Sequence, residues 1–397
     1  MTTTRSVPPG LVLFALAMGG FAIGTTEFGT MGLVPYFSHS FGIDGPEAGH
    51  VISAYALGVV VGAPVIAVLG AKLPRRTLLA GLMIFFAITN GLSAFAPSYH
   101  WMLLIRFLSG LPHGAYFGVA ALVGASLVPR ERRSQAISRI LLGLTVATIF
   151  GVPAANAIGQ LVGWRWAFAL VTVLGFATAA MVLLFAPRGG QGEGGSALQE
   201  LSILKSGQVW LALGMGAIGF GGMFAVYTYL ASTLLDVTHV SPIVVPLALG
   251  VFGIGLTLGN LISAWFADRA LMPTIAGVLI WTIVSLALYP AATHSLWTIL
   301  PVVLVVGAGG GLCTPLQARL MEVAEGSQTL AAALNHSAFN IANALGPWFA
   351  GMAIAGGFGL PSAGWVGCAM AAGGLVLWVV SMLLERGSPR SVALQSG

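Results

Sequence analysis

Charge is what this sequence has least of: 16 Lys and Arg and 11 Asp and Glu among 397 residues, 7% in all, with a net charge of +5. A domain whose surface faces water carries about 25% charged residues. Set beside 57% hydrophobic residues and a mean hydropathy of +0.95, that shortage excludes a soluble fold. Lipid must be the solvent for most of the surface. Cysteine is scarce too. Cys313 and Cys368 both fall in apolar segments, which excludes a secreted disulfide framework, and their separation fits no metal site. The sequence has no P-loop lysine motif, so direct drive by ATP is excluded. Glu27 with His113 is the only conceivable catalytic pair, so the chain reads as no enzyme and needs no cofactor or metal. The basic run 129–133 is a short loop that anchors topology, and nucleic acid is not expected as a partner.

What the sequence has in abundance is glycine, at 55, with 20 prolines. They sit inside apolar runs, where small residues let helix backbones approach and neighbouring helices tolerate kinks. About 20 apolar residues cross a bilayer as a helix. Such runs occupy 10–36, 47–70, 77–96, 101–127, 136–160 and 165–187, then 209–233, 242–266, 273–291, 296–318, 330–355 and 361–384. The first could be mistaken for a cleaved signal peptide, but it continues past Gly24 to Pro35 without a cleavage site.

The breaks between runs alternate in charge. Arg5, Lys72, Arg75, Arg76, Arg130, Arg132, Arg133, Arg139, Arg188, Lys205, Arg269, Arg319, Arg386 and Arg390 lie on one side. His39, Asp44, Glu47, His50, His100, Asp236, His239 and His294 lie on the other, with Arg165 the only basic residue there. Positive loops stay inside, which puts both termini in the cytoplasm and requires an even number of spans. The longest inside segment, 188–208, is rich in glycine and reads as a linker. It separates a bundle at 1–187 from a second at 209–397. The expected fold is therefore an all-α integral membrane protein, twelve transmembrane helices in two pseudo-symmetric six-helix bundles, in the cell membrane as a monomer.

Three stretches carry a family resemblance: Thr25-Thr26-Glu27-Phe28-Gly29-Thr30-Met31-Gly32, Tyr55-Ala56-Leu57-Gly58-Val59-Val60-Val61-Gly62-Ala63-Pro64, and Arg106-Phe107-Leu108-Ser109-Gly110-Leu111-Pro112-His113-Gly114. With Pro315-Leu316-Gln317 and Ala338-Phe339-Asn340 they resemble the major facilitator superfamily, its drug-and-sugar efflux branch, and the AraJ type of arabinose efflux permease. The resemblance implies two bundles working by alternating access. It implies a helix-packing role for Gly110 and Gly114 after Arg106, and, as a looser match to the antiporter motif, for Gly151 and Pro153. It also implies gating loops at Arg75 and Arg76 and at Asp268 and Arg269. The first loop has Ala71 where the family pattern has aspartate, so the inward gate is expected to lean on Asp268.

Ionisable groups inside a bilayer cost several kcal/mol and are functional candidates by default. Glu27 is the one acid within a span; the others map to breaks or ends. Helical rise puts it about 13 Å below the outer end of the first span, between Arg106 at about 8 Å and His113 at about 18 Å in the fourth. Arg106, Gly110, His113 and Gly114 share one helix face. We read Glu27 as the group that exchanges a proton, with Arg106 and His113 as its partners in coupling. The alternatives are an acid snorkelling outward, an arginine binding carbonyls of a helix broken at Pro112, and a histidine that is packing alone. In the second half His336, Asn340, Gln317 and Tyr227 are candidates to line a substrate cavity; interhelical glue is the alternative for the polar groups and core packing for the tyrosine. The expected task is export of a small organic molecule, sugar-like or an amphipathic drug, in exchange for protons. A proton-independent uniporter or uptake permease is the rival reading.

Overall fold

Lipid offers backbone N–H and C=O groups no partners, so each apolar run must close its hydrogen bonds on itself as a helix. The computed structural model describes residues 7–70, 73–129, 132–188, 201–324 and 328–386. Twelve helices there are long and apolar enough to cross a membrane: α1 (Pro9–Gly32), α2 (Gly45–Ile66), α3 (Arg75–Ala94), α4 (Tyr99–Ser126), α5 (Gln135–Leu161) and α6 (Trp164–Phe185), then α7 (Gly207–Asp236), α8 (Val244–Ala267), α9 (Leu271–Ala292), α10 (Leu296–Val323), α11 (Leu334–Phe358) and α12 (Ser362–Glu385). The all-α expectation and the count of twelve both hold. Most of the linker (189–200), together with Arg5, Ala71, Lys72, Arg130 and Arg390, lies outside the described residues.

Helix ends differ from the expectation by a few residues, for identifiable reasons. The first span stops at Gly32 and a separate short helix, Val34–Phe41, follows. That helix ends at Gly42, whose φ of 66° suits a residue without a Cβ. Ser98 caps α4 by accepting from the Trp101 N–H at 3.4 Å. The α4 helix runs unbroken through Pro112, which corrects the expectation of a break there. In α5 the backbone widens into a π-turn at Ala147–Gly151, which ends two residues before Pro153. Proline has no N–H to continue the ladder, and the wider turn absorbs the mismatch.

The chain divides into two compact units: Met1–Gly194 with Thr228–Gly253, and Gly195–Tyr227 with Ile254–Gly397. In the first, α2 and α4 touch backbone to backbone. A methyl group on Gly58 would overlap the Phe107 carbonyl, on Gly62 the Leu111 carbonyl, and on Gly110 the Tyr55 carbonyl. Gly114 faces the Ala63 methyl. In the second, α8 and α10 repeat the arrangement at one constant offset, with Gly255 against Leu304 and Gly259 against Ala308. The α1–α5 contact of Gly143 on Ala17 recurs likewise as Gly346 on Gly221. The segment Thr228–Gly253 packs within the first unit: the Tyr229 hydroxyl covers Gly49, and Gly253 lies against the Thr148 carbonyl.

Candidate functional site

Unit one buries a chain of polar side chains among apolar neighbours such as Leu16, Met83, Phe86 and Val171. Helix α1 supplies Thr26 and Glu27, α2 Tyr55, α3 Asn90, and α4 Arg106 and His113. Arg106 is 1% exposed and Glu27 7%. Stripping a guanidinium of water costs several kcal/mol unless the site offers partners. Arg106 finds three: its Nη1 donates to Thr26 Oγ1 at 3.1 Å, and its Cζ lies 4.3 Å from the centre of the Tyr55 ring and 5.5 Å from that of Phe168. Thr26 passes its own hydrogen to Asn90 Oδ1 at 2.8 Å, and Asn90 Nδ2 donates to the Phe86 carbonyl at 2.8 Å. The Tyr55 hydroxyl meets His113 Nδ1 at 3.1 Å. Glu27 is in electrostatic range of both Arg106 and Tyr55. Arg106 binds a hydroxyl and two ring faces here, so the carbonyl partners considered from the sequence are replaced by side chains.

Of the residues singled out from the sequence, Glu27, Arg106 and His113 therefore meet in one buried cluster. Tyr55, Thr26 and Asn90 join them unforeseen. A signal existed: Tyr55 precedes Gly58 and Gly62 at helical spacing, and Asn90 is an amide within an apolar run. Gly110 and Gly114 fill the α2–α4 contact. Gly151 faces Thr25 and Phe21, and the Pro153 ring approaches Gly250.

Unit two holds the other candidates. Tyr227 is fully buried. Asn335 Nδ2 donates to Gln317 Oε1 at 3.5 Å, and Asn340 Nδ2 to the His336 carbonyl at 3.0 Å. Thr314 and Asn260 pair at 3.3 Å. Arg269 folds back, with Nη1 on the Trp265 carbonyl at 2.6 Å and its Cζ 3.5 Å from the Trp265 ring centre. Among the described residues no ion pair includes Arg75, Arg76 or Asp268.

Ion pairing is concentrated instead on Arg319, buried near the end of α10. It contacts Glu385 of α12 directly, Glu322 at 3.3 Å and Gln208 Oε1 of α7 at 3.4 Å. Ser381 donates to the same Gln208 oxygen at 2.6 Å. Glu322 is more than half exposed and Glu385 about a third, while the arginine is buried, so the partners are unequal. Removing an acid strands a buried cation; removing the cation leaves acids that water can solvate. Glu385→Ala is expected to lower stability by about 1–3 kcal/mol, and Arg319→Met by less. Melting curves of the two purified variants check that order.

Among the described residues no cluster of three or more His, Cys, Asp or Glu could hold a metal. Comparison with known proteins agrees with a transport fold. The family profile of the Major Facilitator Superfamily matches residues 16–326. The inner membrane transport protein YdhP of Escherichia coli is 38% identical over 383 residues, covering 96% of this chain and 98% of that one. The putative transporter AraJ of Escherichia coli is 32% identical, covering 86% and 87%. A chloramphenicol resistance protein of Streptomyces lividans is 33% identical, covering 85% and 87%. The fold is also that of a bacterial homologue of the human lysosomal transporter Spinster, solved inward-facing and occupied, with a TM-score of 0.74, 19% identity and coverage of 96% and 98%.

Proposed function

The chain belongs to the Major Facilitator Superfamily, and from that premise we propose that it exports a small organic molecule, a sugar-like compound or an amphipathic drug, in exchange for protons. The observation that carries this reading is Glu27, an acid buried inside a span within electrostatic range of a buried arginine. Such a group is held between two demands: burial favours the neutral form, and the cation favours the carboxylate. A ligand or a helix movement that changes either demand changes the proton affinity, and that exchange of influence is what antiport needs. The amides Gln317 and Asn340 of unit two, with the His336 imidazole and Tyr227, would line the path of a neutral or amphipathic substrate. The relative named for chloramphenicol resistance supports export as the direction.

In this reading the protein works as a monomer with both termini in the cytoplasm and a linker at 188–208 between bundles 1–187 and 209–397. Gly110, Gly114, Gly151 and Pro153 set helix packing, and the loops at Arg75, Arg76, Asp268 and Arg269 serve the gate. The test begins with a susceptibility screen in a host lacking its own efflux pumps, which selects the compound. Purified protein in vesicles is then given that compound with and without an imposed pH gradient. Movement against the compound's own gradient, only when the pH gradient is present, is the expected result. Flux that merely follows the compound's gradient would establish uniport instead.

A further inference from the structure

We propose that Tyr55 is the positioning residue of this cluster, linking the state of His113 to the placement of Arg106 through one side chain. The inference rests on reading Glu27, Arg106 and His113 as the proton-handling groups. Arg106 and His113 lie two turns apart on one face of α4, about 10 Å along the axis, so a single neighbour must be long to reach both. Tyr55 does so from α2. Its ring face takes the guanidinium at 4.3 Å and its hydroxyl takes His113 Nδ1 at 3.1 Å. Its backbone is fixed as well, because its carbonyl seats directly on Gly110. At 1% exposure the ring has no room to swing away.

The hydroxyl matters because it can donate or accept. With His113 Nδ1 unprotonated, the tyrosine donates to it; with Nδ1 protonated, the same oxygen accepts. The contact survives a change of charge by reversing direction. A reversal turns the hydroxyl dipole on the ring that Arg106 touches, so the arginine senses the change without meeting the histidine. Phenylalanine would keep the ring contact and lose the reversal; leucine would lose both. The charged and titratable groups around the pair are few. Helix α1 gives Glu27, and α4 gives Arg106, His113 and Tyr116, the last committed to the Leu16 carbonyl. Helix α3 gives neutral Asn90, α6 the Phe168 ring, and α5 the exposed Arg139 in its second turn.

The experiment uses full-length protein in detergent with carbon-13 at the histidine Cε1, and assigns the His113 signal by its loss in His113→Gln. In Tyr55→Phe the His113 titration midpoint is expected to move by half a pH unit or more; an unmoved midpoint overturns the proposal. A second measurement needs no folded Tyr55 variant. In the unmodified protein one tyrosine Cζ signal should step at the His113 midpoint, and the step should vanish in His113→Gln. Absence of any such step also overturns it. Chloramphenicol efflux from vesicles at a series of pH values separates the two ideas. If the His113 midpoint moves while efflux in the unmodified protein ignores the pH gradient, Tyr55 keeps its role and proton coupling fails. If efflux is proton-driven and Tyr55→Phe leaves both the midpoint and the pH profile unchanged, coupling stands and the role of Tyr55 falls.

Discussion

Glu27→Gln should lose gradient-driven movement altogether, down to the level of vesicles without protein, while still exchanging substrate across the membrane at equal pH. Glutamine matches glutamate in size and keeps one acceptor and gains a donor, so the cluster around Arg106 stays packed. What it cannot do is release a proton. The energy of the pH gradient then has no group through which to act, whereas the rearrangement that carries substrate back and forth needs none. Counterflow of labelled against unlabelled substrate measures the second property and leaves the first aside. Gradient-driven export persisting in Glu27→Gln would remove this acid from the mechanism and leave His113 to be examined next. Equal loss of both activities, with a normal melting temperature, would make Glu27 a substrate contact instead.

The second large effect belongs to glycine. Gly62→Ala places a methyl against the carbonyl, Cα and carbonyl carbon of Leu111, and a backbone cannot turn aside as a side chain can. Helices α2 and α4 must part, which costs about 1–3 kcal/mol and lifts Tyr55 from Arg106 and His113. Stability and proton-coupled export should fall together. Gly259→Ala applies the same overlap to Ala308 in unit two, so it should cost similar stability but spare the pH profile of the protein that remains folded. Gly118→Ala, on α4 with nothing within 4 Å of the added methyl, is the control. There the better helix propensity of alanine should leave stability equal or slightly higher. Melting curves and pH profiles of the three variants check the pattern; a harmless Gly62→Ala would show that the pair is looser than its geometry.

The contrast between what could be read from the sequence and what could not follows the physics of each signal. Twelve spans were legible because a helix must be long and apolar throughout to cross lipid, a property each segment carries by itself. Glu27 stood out because a carboxyl inside such a segment has a cost that demands a reason. Tyr55 did not, since an aromatic in an apolar run usually signals packing, and only the position of a second helix reveals its hydroxyl against His113. The distant partners of Arg319 were equally hidden: Gln208 and Glu385 come from segments far apart in the chain and meet it only in three dimensions. Family pattern placed Arg269 in a gating loop with Asp268 and said nothing of what its side chain touches. Four residues back, at helical spacing, Trp265 offers both a carbonyl and a ring, and that local partner won.

The glycine-on-carbonyl contacts recur in both units, but the ionisable groups beside them do not. Where the first unit has Tyr55, Arg106 and His113, the constant offset between α2 and α8, and between α4 and α10, lands on Phe252, Val303 and Gly310. At these three positions the repeated frame carries polar or ionisable side chains in one copy and none in the other. If the proton is handled in the first copy as proposed, the other is free of that constraint, and side-chain changes there can alter what is carried without touching proton exchange.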